Sequence, residues 1–175
     1  VINSNSSIFS PALARDGSLY FMQPTGAKTR FHIFRAQFSG WAYQTPVAVP
    51  VSASDRVGDF DPVVAPDESF MVFSSARLPA NGTSLFIAFR QNGVWSTPAY
   101  MGAVASPPAT GNIEARLSPD HRTLYFSSNC VVPLPPNPDR AAREKGLDAM
   151  ETWNNGRAHI WRVSLDGRVN RGAAR

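Results

Sequence analysis

Two acidic residues, Asp61 and Glu114, combine the residue type and the spacing that catalysis would need. Each lies six residues before an aspartate of a repeated motif, Asp67 or Asp120, and Ser10 stands at the matching place in the first repeat. Glycoside hydrolysis uses two carboxyl groups roughly 5 to 10 Å apart, one as general acid and one as nucleophile or base. If adjacent repeats share a central channel, this pair faces it, and a carbohydrate-active hydrolase is one hypothesis.

A structural explanation of the same carboxylates competes with the catalytic one. Ion pairs with Arg77 or Arg116 account for such acids equally well, because structural ion-pair networks also hold acids beside strands. We favour this explanation and predict no catalytic residue. The six residues predicted to contribute to binding are Asp59, Asp61, Arg77, Glu114, Arg116 and Asn129.

The other reactive residue types show no pattern of a catalytic or metal site. The sequence contains no Gly-x-Ser-x-Gly elbow, no Gly-rich phosphate loop and no His-Glu-x-x-His motif. Cys130 is the single cysteine, so no disulfide can form within the chain, and the three histidines share no metal-ligand spacing with it. The sequence therefore predicts neither a metal nor a cofactor.

The elements that position these residues are set by an internal repeat. Asp16, Asp67 and Asp120 stand at the same point of a recurring motif, and the steps between them are 67 − 16 = 51 and 120 − 67 = 53 residues. A fixed period of this size indicates a repeat architecture. The repeats are predicted to span residues 8–50, 58–101 and 112–165 of a single unit covering residues 1–175.

Each repeat reads as short β-strands joined by turns. Short apolar runs rich in aromatic and β-branched residues, ending in Phe21, Phe73 and Phe126, follow the three aspartates and are bounded by Asp, Gly, Ser and Pro. We predict that these three phenylalanines occupy equivalent buried positions. The aspartates themselves are predicted to form turns, since an Asp side chain can accept a hydrogen bond from the backbone two residues on.

The segment 129–157 interrupts the third repeat. It opens with a proline-rich run at 133–138, and Asp139 then precedes good helix formers at 140–145. Insertions in repeat proteins map to loops on one face, often the binding face, although an excursion that covers a sheet edge is an equally good explanation. We therefore predict a proline-rich, partly helical insertion.

The motifs resemble a known repeat family. Ser118-Pro119-Asp120 followed by 124–128 (Leu-Tyr-Phe-Ser-Ser), and Ala65-Pro66-Asp67 followed by Phe-Ser-Ser at 73–75, resemble the core of the WD40-like PD40 β-propeller repeat of TolB-like C-terminal domains. The resemblance covers most of residues 1–129 and returns at 158–167. Glu68 and His121 replace the glycine that usually follows the aspartate, so we expect those turns to differ in type from the family norm.

The resemblance implies an all-β fold, a propeller segment of about three four-stranded blades within a six-bladed ring. Three blades cannot close a ring, because closed propellers have about four to eight. The sequence then belongs to a longer propeller, or two copies combine three plus three, and open blade edges are expected to drive self-association.

The resemblance also implies a non-catalytic binding or scaffold module, periplasmic or extracellular, with a protein, peptide, cell-wall or polysaccharide partner. The alternatives are a propeller glycosidase that uses Asp61 and Glu114, and the propeller domain of a larger peptidase.

Composition fits a packed β-protein. Hydrophobic residues make up 43% and charged residues 17% of the chain, which provides a core and argues against disorder.

The net charge of +4 invites a nucleic-acid hypothesis. Because the aromatic residues sit at repeat-core positions and the arginines are scattered, we predict no nucleic-acid partner. No apolar stretch is long enough to predict a membrane span.

Overall fold

The chain folds into antiparallel β-sheets. A computed structural model describes residues 2, 7–25, 30–51, 57–80, 82–102, 111–130, 139–141, 144–145, 158–167 and 169. The strands of these residues are β1 (Phe9–Leu13), β2 (Leu19–Thr25), β3 (Arg30–Ala36), β4 (Phe38–Ser39), β5 (Ala42–Tyr43), β6 (Val47–Ala48), β7 (Asp59–Val64), β8 (Phe70–Ser75), β9 (Ser84–Gln91), β10 (Val94–Trp95), β11 (Ala99–Tyr100), β12 (Asn112–Leu117), β13 (Thr123–Ser128) and β14 (His159–Ser164).

Three sheets repeat one plan, in which consecutive strands pair as antiparallel neighbours. The first sheet has the order β1-β2-β3-β6, and β4 and β5 form a separate small hairpin. The second sheet joins β7, β8 and β9, with β10 and β11 both paired to β9. The third sheet has the order β12-β13-β14 within the described residues. The first sheet therefore has the four strands expected of a blade, and the described part of the third has three.

The aspartates of the repeat form the turns between the first two strands of each sheet, as predicted. The backbone N–H of Ser18 donates to Asp16 Oδ1 at 2.8 Å, and that of Ser69 donates to Asp67 Oδ1 at 3.0 Å. Arg122 N donates to Asp120 Oδ1 at 3.1 Å. The hydroxyl of Ser69, with the backbone bond beside it, lowers the pKa of Asp67.

The residue after each turn aspartate has a left-handed backbone. The φ angles of Gly17, Glu68 and His121 are 86°, 59° and 57°. Non-glycine residues adopt this region at a cost of roughly 1–2 kcal/mol each. The turns differ in length. Ala14 N bonds to the carbonyl of Ser18, four residues on, whereas Ala65 N bonds to that of Phe70, five residues on.

The predicted equivalence of three phenylalanines is confirmed. Phe21, Phe73 and Phe126 are 1%, 0% and 3% exposed. Each pairs across the sheet with an aromatic residue of the following strand, namely Phe34, Phe86 or Trp161. The shorter first turn places Phe21 one residue closer to its aspartate while preserving the same position in the sheet.

The core lies on both faces of the second sheet. Met71 and Phe73 on β8 pack with residues of the first sheet, whereas Phe70 and Val72 on the same strand pack with residues of the third. All six residues of β8 are buried. The first strands also lie side by side, since β1 contacts β7 and β7 contacts β12. The three sheets are therefore stacked in chain order with the second between the others.

The insertion is described only at a few positions. Arg140 Nε donates to Glu144 Oε1 at 2.9 Å, a pair at i,i+4 spacing. The predicted proline run and the residues from 146 to 157 lie outside the described residues.

Candidate functional site

The first strand of each sheet carries a bulge at the same place. The pairing register shifts between Phe9 and Ala12 on β1, and it shifts in the same way on β7 and β12. Ser10, Asp61 and Glu114 lie in these bulges with φ angles of 51°, 48° and 56°. Bulges re-aim side chains and are frequent next to binding sites. The left-handed backbone thus directs the three repeat-equivalent residues towards one another.

Asp61 is the centre of this line of residues. Its Oδ1 accepts a hydrogen bond from the hydroxyl of Ser10 at 2.6 Å, and its Oδ2 accepts one from the backbone N–H of Glu114 at 3.2 Å. The side chain is buried, with 9% of the residue exposed. Asp61 therefore connects all three sheets through hydrogen bonds between residues 51 and 53 positions apart.

Glu114 differs from Asp61 because it is exposed. Its Oε2 accepts a hydrogen bond from Ser127 Oγ at 3.3 Å, on the neighbouring strand of the same sheet. Its backbone binds Asp61, but its carboxylate remains at the surface. The two acids singled out from the sequence do meet, through one backbone N–H and one carboxylate.

Asp59 and Arg77 form a separate buried ion pair. Arg77 Nη2 lies 2.5 Å from Asp59 Oδ1, and Asp59 is fully buried. The guanidinium also donates to Val51 O at 3.0 Å and lies over the rings of Phe73 and Phe86 at 5.1 and 5.4 Å. The ion pair and the ring contacts lie within the second sheet, and the bond to Val51 joins that sheet to the segment that follows β6. This arrangement serves packing, since the pair has little access to a ligand.

Arg116 and Asn129 lie apart from both groups. Arg116 Nη1 donates to the carbonyl of Ala115 at 2.7 Å, and no carboxylate among the described residues pairs with it. Asn129 Oδ1 accepts from Gly111 N at 2.5 Å, which closes the end of the β12–β13 pair. The six residues predicted from sequence thus fall into four places instead of one site.

A second polar cluster, centred on Glu68, escaped the sequence analysis as a candidate site. Tyr20 Oη donates to Glu68 Oε1 at 2.8 Å, and Arg35 Nε donates to the same oxygen at 2.7 Å. Arg90 Nη1 binds the other oxygen, Oε2. The Glu68 side chain is only 11% exposed. One carboxylate from the second turn therefore holds two side chains of the first sheet and one of its own.

Burial and the neighbouring carboxylate change the acid–base behaviour of the cluster. Removal from water, and then the hydrogen bond to Glu68, raise the pKa of the Tyr20 phenol well above its usual value. Tyr20 also meets the ring of Trp95 edge to face at 6.2 Å. The phenol is thus a permanent hydrogen-bond donor at physiological pH.

A cavity of about 390 Å³ adjoins this cluster, between the first and second sheets. Pockets of this size hold small ligands when apolar walls carry a few polar groups. Its polar and aromatic lining includes Arg35, Gln37, Gln44, Thr45, Arg90 and Trp95. The sequence signal for this cluster was the residue that follows the turn aspartate. It is a glutamate, Glu68, in the second repeat, whereas the first repeat has Gly17 there.

The described residues contain no group of three or more His, Cys, Asp or Glu side chains arranged to hold a metal ion. Nor does any helix within the described ranges have the length and apolar character needed to cross a bilayer.

The chain is similar in structure to several solved proteins, one of which is a TolB. The crystal structure of TolB from Acinetobacter baumannii is similar over 67% of this chain at 18% sequence identity, with a TM-score of 0.44. The similar region spans 26% of the TolB chain, about a quarter of its length. No family model matches the sequence, and no curated protein matches it.

Proposed function

We propose that the chain is a non-catalytic binding or scaffold module, a β-propeller segment whose three sheets act as blades of a six-bladed ring. The stacked meander sheets and the adjacent first strands support this arrangement. The partner we infer is a protein or peptide, or a cell-wall or polysaccharide component, in the periplasm or outside the cell. The cavity beside Glu68 supports a binding role, since it offers guanidinium, amide and aromatic groups together.

The bonding of Asp61 is the observation that carries this proposal over a glycosidase. A catalytic carboxyl group must exchange protons with the substrate or attack it, and so must be accessible to it. Asp61 is only 9% exposed, and each of its oxygens already accepts a hydrogen bond within the protein, from Ser10 and from the N–H of Glu114. A buried acid held in this way positions strands, and Glu114 alone cannot supply both roles of the reaction.

The experiment that tests the proposal compares hydrolysis and stability. We expect the wild-type protein to hydrolyse none of a panel of aryl glycosides. We expect Asp61→Asn to lower the free energy of unfolding by about 1–3 kcal/mol, because it weakens bonds to a buried carboxylate. Glu114→Gln is the matched variant, whose exposed side chain predicts a change within roughly 0.5 kcal/mol.

The opposite pattern would favour the hydrolase. Measurable turnover that both amide variants abolish, while their melting temperatures stay at the wild-type value, would mean that the two carboxylates act on a substrate.

A further inference from the structure

Tyr20 and Arg35 show how the first sheet binds the second through side chains. The two residues are directly opposite each other on β2 and β3. Both bind Glu68 Oε1, which the turn of the second sheet presents to them. Charge-assisted hydrogen bonds of this kind are stronger than neutral ones. The first sheet thus clamps a carboxylate delivered by the turn of its neighbour.

The third sheet carries the same pair at the same place. Tyr125 lies opposite Arg162 on β13 and β14, and each tyrosine directly precedes one of the equivalent phenylalanines, Phe21 or Phe126. The second sheet has Val72 and Ile87 at these positions and packs there against the third sheet through apolar contacts. The Tyr–Arg pair therefore occurs on the first and third sheets and is absent from the second. No sheet among the described residues packs on the face of the third sheet that carries it.

The side chains of this second pair point away from the core. Leu124 and Phe126 pack towards the second sheet, so Tyr125 between them faces the other side of the strand. Tyr125 is 39% exposed and Arg162 is exposed as well. Within the described ranges of the chain, neither side chain has a hydrogen-bond partner. The clamp is present on the third sheet but holds no carboxylate there.

Other residues make the same face suited to a partner. Ile113 and Ile160 are 38% and 73% exposed and flank Ser127 on either side in the register. Arg116 lies opposite Tyr125 and is exposed. Two arginines beside exposed apolar groups complement an acidic surface. We call the face formed by Ile113, Arg116, Tyr125, Ile160 and Arg162 the outer face of the third sheet.

Glu114 supplies an independent indication at the inner end of this face. Asp61 accepts the backbone N–H of Glu114, the repeat-equivalent residue of the following sheet. Glu114 stands in the same bulge and has its carboxylate exposed beside Ser127. If a further sheet repeats the contact between Asp61 and Glu114, the Glu114 carboxylate is placed to accept a backbone N–H from the bulge of that sheet.

We propose that the outer face of the third sheet docks a further antiparallel sheet of the same repeat type, whose turn carries a glutamate at the position of Glu68. The proposal rests on the proposed binding function and names its partner chemistry. Another copy of this chain does not fit, because its first sheet has Gly17 at that position and so presents no carboxylate from there. In the docked complex the new glutamate binds Tyr125 and Arg162, as Glu68 binds Tyr20 and Arg35.

Calorimetric titration with a synthetic hairpin tests the proposal. The probe has the sequence of residues 59–75, which includes Glu68, and is closed by a disulfide between added terminal cysteines. We expect saturable binding to the wild-type chain that Arg162→Gln weakens roughly tenfold or more and Tyr125→Phe weakens less. A hairpin with Glu68→Gln should lose about the same factor against the wild-type chain.

Arg122→Gln is the matched control, since Arg122 is an exposed arginine at the end of the same sheet, paired with Asp166. Its binding should stay within about twofold of wild type. Absence of binding, or equal binding of the Glu and Gln hairpins, would overturn the proposal. A dimer of the chain that Arg162→Gln dissociates would assign the face to a second copy and overturn the partner named here. None of these outcomes depends on hydrolysis, so failure here is distinct from failure of the proposed function.

Discussion

At the scale of single residues, Glu68 combines two opposed contributions. Its left-handed backbone costs roughly 1–2 kcal/mol. Its carboxylate, in return, binds Tyr20, Arg35 and Arg90 in a half-buried site. Hydrogen bonds to charged groups make a net contribution of about 1.5–3 kcal/mol each. The side chain thus outweighs the strain of its own backbone, which explains why an acid can stand where a glycine is expected.

Loss of the Glu68 charge should therefore destabilise the protein. We expect Glu68→Gln to lower the free energy of unfolding by about 2–4 kcal/mol, because it leaves Arg90 without a charged partner and Arg35 with only the more distant Asp16. Urea denaturation measures this change. Glu144→Gln is the control: Glu144 pairs with Arg140 at an exposed site, and its loss should cost about 0.5 kcal/mol or less. Equal effects of the two substitutions would contradict the role given to Glu68.

The raised pKa of Tyr20 predicts how stability depends on pH. A phenol that keeps its proton more tightly when folded contributes stability in full below the unfolded pKa of about 10, and the contribution is lost as pH rises towards the folded pKa. We expect the free energy of unfolding to fall steadily as the pH rises above about 9. Tyr20→Phe should be less stable at pH 8 and show a shallower fall. A fall of equal slope in both proteins would exclude Tyr20 as its source.

At the scale of elements, the sequence predicted more of the strands than of the turns and bulges. The runs ending in Phe21, Phe73 and Phe126 indicated the second strand of each sheet because aromatic alternation is a local signal. The left-handed bulge at Asp61 had no such signal, since glycine is the usual mark of positive φ and is absent there. The catalytic hypothesis for Asp61 arose because the bulge could not be predicted. The repeat spacing placed the acid towards a channel shared by adjacent repeats, but only the backbone geometry shows which groups it bonds.

A left-handed residue without compensating contacts should be improvable. His121 has a φ of 57°, and we expect His121→Gly to stabilise the protein by about 0.5–1 kcal/mol by removing the clash of its Cβ. Thermal unfolding should show a midpoint raised by roughly 1–3 °C.

Gly167→Ala, in the Asp166-Gly167 turn that follows β14, is the converse control. Gly167 has a φ of 72°, and an added Cβ would meet nothing within 4 Å, so only the backbone conformation is tested. It should destabilise by about 1 kcal/mol. A lower midpoint for His121→Gly would mean that the imidazole makes a contribution larger than the strain.

At the scale of the whole molecule, the repeat period predicted sheets in series but not the contacts between them. Ser10 meets Asp61 across 51 positions and Tyr20 meets Glu68 across 48. Such pairs follow from the stacking of sheets, which no local pattern encodes. The same applies to the cavity between the first and second sheets, whose lining comes from four strands and four connecting segments. Spacing placed Ser10, Asp61 and Glu114 at one repeat position, but their hydrogen-bond partners and the cluster around Glu68 depend on this stacking and could not be predicted. The six binding residues named from the sequence stay a prediction.

Exposed edges of the assembly lead us to expect self-association. β14 ends the described third sheet, and Trp161 on it, whose side chain lies on the face opposite to the outer face, is 41% exposed. Strand edges with apolar side chains pair with other chains. Light scattering at micromolar concentration should report species larger than a monomer, and Trp161→Lys should reduce them whereas Arg162→Gln should not. Leu78→Lys, at an exposed loop position, should have no effect. A monomer at every concentration tested would refute this expectation.

The burial of β8 on both faces has a consequence for the rates at which parts of the molecule open. Its six residues are all buried, and its backbone is paired with β7 and β9 on either side. Amide protons in such a strand exchange with solvent only when the whole domain unfolds, whereas those near sheet edges exchange through small local openings. In a deuterium-exchange experiment, the amide protons of β8 should therefore exchange most slowly, at the rate of global unfolding. Its protons report the lifetime of the entire stack, and those of β14 report only the fraying of its last strand.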